Sequence, residues 1–183
     1  MLPIGPLMIE HRLIEKMIKI INTKSAGIAQ TKTLDVNFVD TAVDFIKTYA
    51  DRCHHGKEED LLFPALIAVG VPKEGPIAVM LHEHEMGRQY VKAMSQAYAT
   101  YIAGDKSTSK DIMQNGHGYI SLLKDHIEKE NNVLFVMADS RLSETRQDEL
   151  FEGFEKIEEE RIGVGKHEEF HGLIKKLSGA YLK

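Results

Sequence analysis

With 183 residues the chain is long enough for one domain with a sizeable core, and a hydrophobic content of 43% argues against disorder. The formal net charge of -5, with acids and bases interspersed, gives no support to nucleic-acid binding or to a polybasic membrane contact. A single cysteine excludes an internal disulfide and suits a reducing, cytoplasmic setting, and no apolar run is long enough to span a bilayer.

Met1 to Gly5 reads as a short extended leader without the basic start of a signal peptide. Pro6 suits the first turn of a helix that is predicted to run to about Lys24, with Leu7, His11, Ile14, Ile18 and Ile21 on its inner stripe. Ser25 to Thr33 is small and polar, a predicted loop or frayed end. Asp35 or Asn37 can cap a second helix that ends near Val69 and Gly70, with Pro64 placed to kink it. Gly70 to Pro76 is a turn. The third helix carries Ile77, Met80, His84, Gly87, Val91, Met94, Tyr98 and Tyr101 at the alternating three-and-four spacing of a bundle seam. Gly104 to Ser107 ends it, and Ser107 or Ser109 can cap a fourth helix reaching about Ser140. Ser143 opens a fifth helix through Glu160, Gly163 and Gly165 break it, and a last helix runs from Lys166 to Leu182. No sustained alternation of period two occurs, so the chain is predicted to be all-α.

The second helix carries His54 and Glu58 four residues apart, on one face with Ile46, Ala50, Leu61 and Ala65. That stripe is otherwise apolar, and a buried carboxylate is costly unless it is paired or bound to a metal. The fourth helix repeats the pattern with His126 and Glu130, and Phe63 and Phe135 each follow their histidine by nine residues. His11 and His84 lie on the inner stripes of the other two helices, each preceded by a glutamate. His84 follows His11 by 73 residues and His126 follows His54 by 72, so the chain reads as two helical hairpins of one design. Folded together they bring four imidazoles and two carboxylates to the centre of a bundle, where di-metal carboxylate sites are built. That donor set suits two ions with the glutamates bridging, and it favours iron, manganese or zinc. One cysteine cannot hold an iron–sulfur cluster, and a single tetrahedral zinc would leave donors over.

A lone histidine, a His-x-x-x-Glu pair, a second lone histidine and a second such pair follow one another on successive helices. With the phrases His-His-Gly-Lys-Glu-Glu-Asp-Leu-Leu-Phe-Pro and Glu-His-Glu-Met-Gly-Arg, this order resembles the hemerythrin-like, HHE cation-binding family over about residues 6 to 140. The resemblance implies an up-down-up-down four-helix bundle over residues 1–142, with residues 143–183 as a C-terminal helical extension packed on it. It implies a non-haem di-iron site of two Fe ions, oxo- or hydroxo-bridged. The annelid oxygen carriers of that family have His-x-x-x-His on the third helix, whereas Arg88 stands at that offset from His84 here. His167, after Gly163-Val164-Gly165, or Tyr49 is expected to complete the set.

Two function classes follow from the resemblance. One is a binding protein that takes up oxygen or nitric oxide for sensing, storage or scavenging. The other is an enzyme that reduces peroxide or nitric oxide, or an iron donor in the repair of damaged iron centres. A regulatory iron sensor ranks below both. No nucleic-acid or membrane partner is expected. His55 and Glu59 form a competing pair shifted by one residue, with Glu59 expected to be silent if His54 and Glu58 are the donors. His82 reads as exposed, His117 as packing or solvated and His171 as a surface partner of the last helix. Cys53 reads as a small buried residue, and Glu155 to Glu160 as a solvated face.

Overall fold

The computed structural model describes residues 4–31 and 33–182, those from 27 to 31 by their backbone alone. Among the described residues no strand occurs. Four long helices come first: α1 (Ile4–Thr31), α2 (36–68), α3 (Ala78–Ile102) and α4 (109–141). Two shorter ones follow, α5 (Glu144–Arg161) and α6 (Lys166–Tyr181). No helix among the described residues is long and apolar enough to cross a membrane.

Most boundaries follow local chemistry. Asp35 caps α2, its side chain accepting from the Phe38 amide at 3.2 Å. Gly70, at φ 88°, and the non-helical Gly75 make the turn before α3. Ser143 caps α5 through the Arg146 amide at 3.3 Å, and Gly163 and Gly165, both with positive φ, separate α5 from α6. Three expectations are corrected. Helix α1 continues through the predicted loop as far as Thr31; Ser25 on it is buried, and Lys24 Nζ holds Asp35 Oδ2 at 2.7 Å, pairing α1 with the cap of α2. Small residues are weak helix stops. The cap before α4 is Asp105, which accepts from the Ser107 amide at 3.0 Å ahead of a 3₁₀ turn at Lys106–Thr108. Of the extended leader, Met1 to Pro3 lie outside the described residues, and Ile4 and Gly5 are already helical.

In α2 and α4 the hydrogen-bond register widens to the π form at Phe45–His55, Glu58–Leu62 and Glu130–Leu134. Such π segments are rare and concentrate at functional positions. Pro64 falls just after the second of them, in an unbroken helix.

The apolar interior is in two parts. One holds Ile4 and Leu7 of α1, Leu62 to Leu66 of α2, Ile77 and Met80 ahead of and within α3, Leu134 to Ala138 of α4, and Leu150 and Phe154 of α5. The other holds Leu13 to Ile20, Phe38 to Ala50, Val91 to Tyr101, Ile112 to Ile127, and Phe170 and Ile174 of α6. On each of the four long helices the switch from one part to the other falls at the histidines.

Candidate metal centre

Seven donors meet in the layer between the two apolar parts. His11, His54, His55, His84 and His126 are buried, and Glu58 and Glu130 are fully so. His55, Glu58, His84 and His126 form one group of donor atoms within 4.8 Å of one another, and His11, His54, Glu58 and Glu130 form a second. The two carboxylates span the groups. Glu58 lies 3.6 Å from His54 Nε2 and 3.5 Å from His84 Nε2. Glu130 lies 3.1 Å from His11 Nε2 and 3.2 Å from His126 Nε2.

Each imidazole is held from behind. Nδ1 of His11 meets Asn131 Oδ1 at 2.8 Å, that of His54 meets Glu10 Oε2 at 2.8 Å, and that of His84 meets Glu59 Oε1 at 2.7 Å. Nδ1 of His126 meets Glu83 Oε2 at 3.0 Å and that of His55 meets Asp51 Oδ1 at 3.4 Å. An oxygen acceptor behind Nδ1 places the proton there and leaves a lone pair on Nε2, which is how metal-bound histidines are oriented. His84 Nε2 and His126 Nε2 meet at 3.2 Å, sharing a proton where a bound cation would take both nitrogens. Nε2 of His11, His54 and His55 and all four oxygens of Glu58 and Glu130 make no hydrogen bond. The 3.1 Å approach of His11 to Glu130 lacks hydrogen-bond geometry. Buried polar atoms left in this way are rare unless a ligand takes them up.

The outer partners repeat with the inner ones. Glu10 and Glu83 precede His11 and His84, yet each holds the histidine of the next helix, His54 or His126. Lys57 and Lys129, three residues after those histidines, bind the same two glutamates. Glu59 and Asn131, one residue after the inner glutamates, hold the two lone histidines. The symmetry ends at Glu10. Lys57 Nζ also reaches Glu158 Oε1 of α5 at 2.5 Å, and His167 Nε2 of α6 lies 3.2 Å from Glu10 Oε1. The Glu83 side has no counterpart among the described residues, and Lys129 is 41% exposed where Lys57 is wholly buried.

Electrostatics fit a cationic guest. Burial and the charge of Glu130 push the Glu58 carboxyl well above its ordinary range. Burial works against Glu130 as well, but His126 and His11 outweigh it and hold that carboxyl low. Burial drives His54 down to about 4, and burial with the neighbouring His84 drives His55 well down, so both favour the neutral form that ligates. Burial opposes the charge on Glu10, yet His167, His54 and Lys57 hold its carboxyl well below the ordinary range. Burial opposes the charge on His11 and His126 too, but Glu130 outweighs it and raises both, so in the metal-free layer these two imidazoles answer a buried carboxylate that divalent ions would otherwise neutralise.

The structure brings His11, His54, Glu58, His84, His126 and Glu130 together. His167 belongs to neither group of donors and backs Glu10 instead. Tyr49 is buried, with its hydroxyl 3.3 Å from His171 Nε2, also outside the cluster. Glu59 belongs to neither group of donors but is the hydrogen-bond partner of His84 and Arg88. The sequence set His55 against His54 as alternatives, since neighbours on an α-helix diverge by about 100°; with the π register of Phe45–His55 both histidines are buried and both join the cluster. His82 and His117 are exposed. Cys53 is buried, its thiol pushed up to about 12 by burial and Glu10.

Residues 2–138 match the model of the hemerythrin HHE cation-binding domain. Over 88 residues the chain is 35% identical to the iron-sulfur cluster repair protein YtfE of Musicola paradisiaca, a match covering 46% of this chain and 40% of that protein. The chain thus aligns with less than half the length of that relative. No solved structure matches significantly.

Proposed function

This chain belongs to the hemerythrin HHE cation-binding family, and from that premise we propose a non-haem di-iron protein that takes up a small ligand, oxygen or nitric oxide, at its centre. Membership carries a metal site of the iron type. The observation behind the rest is the layer of inward Nε2 atoms and carboxylate oxygens without hydrogen-bond partners. His55, His84 and His126 would hold one Fe ion, His11 and His54 the other, and Glu58 and Glu130 would reach both. When bound, the iron pair supplies an open coordination position and redox chemistry for a small ligand. The protein's part is to fix each imidazole through Nδ1, to keep Nε2 unprotonated and to seal the layer above and below with apolar side chains. One side has three histidines and the other two, so the ion on the His11 and His54 side would have one protein donor fewer and a coordination position to spare for a small ligand.

We read the four long helices as an up-down-up-down bundle over residues 1–142, with 143–183 as a helical extension. In support, α1 and α3 pass from the Leu7 part of the core to the Met94 part, while α2 and α4 pass the other way. A cytoplasmic location belongs to the same reading and is consistent with one buried, unpaired cysteine.

Elemental analysis of protein from iron-replete cells should find two Fe per chain. The optical spectrum of the reduced protein should then change on exposure to oxygen or nitric oxide, and reverse. One ion or none, or a spectrum indifferent to both gases, would sink the proposal. The identity to the repair protein of Musicola paradisiaca favours a second reading, in which the centre donates iron to damaged iron–sulfur clusters. Transfer of labelled iron from this protein to a cluster-depleted acceptor would distinguish it from a reversible ligand binder, which keeps its iron.

A further inference from the structure

A groove of about 470 Å³ runs between α2 and α3, with Tyr119 of α4 in its wall. That volume lies in the range of small-molecule sites. Along α3 it extends from His84 to Ala99, roughly 20 Å at helical rise, so it suits an extended molecule. Ile46, Val91, Ala99 and Tyr119 make its walls apolar. Its charged lining is Lys47, Arg88 and Lys92 against Asp51 alone. Lys47 and Lys92 are exposed and have no anionic partner among the described residues. Ser95 Oγ, on the same wall, is buried and hydrogen-bonds nothing.

The groove also touches the metal centre, because His55 and His84 line it. Arg88 Nε donates to Asp51 Oδ1 at 2.9 Å and Nη2 to Glu59 Oε1 at 2.7 Å. Those same two oxygens are the ones behind His55 Nδ1 and His84 Nδ1. Arg88 therefore holds the outer partners of two imidazoles while lining the groove.

We propose that this groove binds an amphipathic organic anion, a carboxylate on an extended apolar body, and that Arg88 couples its occupancy to the metal centre. The apolar walls take the body, and Lys47 and Lys92 attract the carboxylate. A carboxylate that engages Arg88 competes with Asp51 and Glu59 for the guanidinium and so alters how His55 and His84 are held. Such outer partners commonly change metal affinity by about 10–100-fold. The coupling rests on the di-iron reading; binding in the groove does not.

The test is calorimetric titration of the metal-loaded protein with decanoate, beside decanol and inorganic phosphate. One saturable site for decanoate is expected, with decanol and phosphate at least tenfold weaker. Ala99→Trp, at an exposed position on the groove wall, should abolish it. Lys92→Glu should weaken decanoate at least tenfold and leave decanol alone. No saturable binding, equal binding of decanol, or indifference to both substitutions overturns the site. The optical spectrum of the bound metal should shift with decanoate in the wild type and not in Ala99→Trp; an unchanged spectrum with the groove filled overturns the coupling. Metal content is measured on the same samples. A chain that holds no metal yet binds decanoate sinks the di-iron reading and upholds the groove.

Discussion

The rings of His55 and His84 are stacked, with centroids 3.8 Å apart and planes 15° from parallel. This contact is where the two-fold plan of the centre breaks. The residue 72 positions after His55 is Ile127, also buried but without a donor. One histidine therefore makes the difference between three imidazoles on one side and two on the other.

Replacing it with its apolar counterpart tests that assignment. His55→Ile should leave the fold intact and lower metal affinity at the three-histidine side at least tenfold, an effect of the size that even outer partners produce. Chelator competition measures it. Unchanged affinity of both ions would remove His55 from the centre.

His167 should act from behind Glu10. His167→Ala is expected to leave two ions bound and to weaken one of them about tenfold, by loosening the carboxylate that orients His54. His171→Ala should change neither, since its Nε2 meets the Tyr49 hydroxyl. Loss of a whole ion in His167→Ala would make His167 a ligand after all.

Lys57 and Lys129 hold equivalent places but unequal burial. Removing the buried Lys57 strands Glu10, so Lys57→Met should destabilise the metal-free protein by about 3 kcal/mol. Lys129→Met, at a partly exposed pair, should cost under about 1 kcal/mol. Urea unfolding gives both values, and equal costs would refute the asymmetry described for the two halves.

At the other end of α2, Asp35 is both cap and ion-pair partner, and its carboxyl is held below the ordinary range, first by Lys24 and then by the Phe38 amide. A depressed carboxylate contributes stability that is present above its unfolded pKa and lost as pH falls through the folded one. Asp35→Ala should cost about 1 kcal/mol at neutral pH. Asp35→Asn keeps the cap, and its deficit relative to wild type should shrink below about pH 4. A deficit that grows on acidification would contradict the ion pair.

Much of this centre was legible in the residues. Spacings of 73 and 72 located two hairpins, and the apolar stripes placed His11, His54, Glu58, His84, His126 and Glu130 inside. The glutamates before His11 and His84 were visible too, but a regular helix gives no hint that each serves the neighbouring helix. That His55 joins His54 instead of competing with it was hidden, because the inward direction of both depends on a π register that no local propensity encodes. His167 misled because a flexible Gly-Val-Gly followed by histidine brings a side chain to the rim of a site whether it binds metal or a carboxylate. The extension of α1 past Lys24 was not legible either, because small polar residues are weak helix stops and composition alone does not end a helix.

The switch from one apolar part to the other at the same level of all four long helices has a mechanical consequence. Cohesion in each part is hydrophobic and local, and it does not cross a plane of imidazoles and carboxylates. In the metal-free chain that plane is a fault, and native-state amide exchange should resolve two cooperative blocks, one on each side, opening at different free energies. Donors from all four helices meet in the plane, so divalent ions set there act as rivets through every helix. Loading them should merge the two blocks into one, and a sequence with leucines in that layer would have gained the cohesion without the means to switch it on.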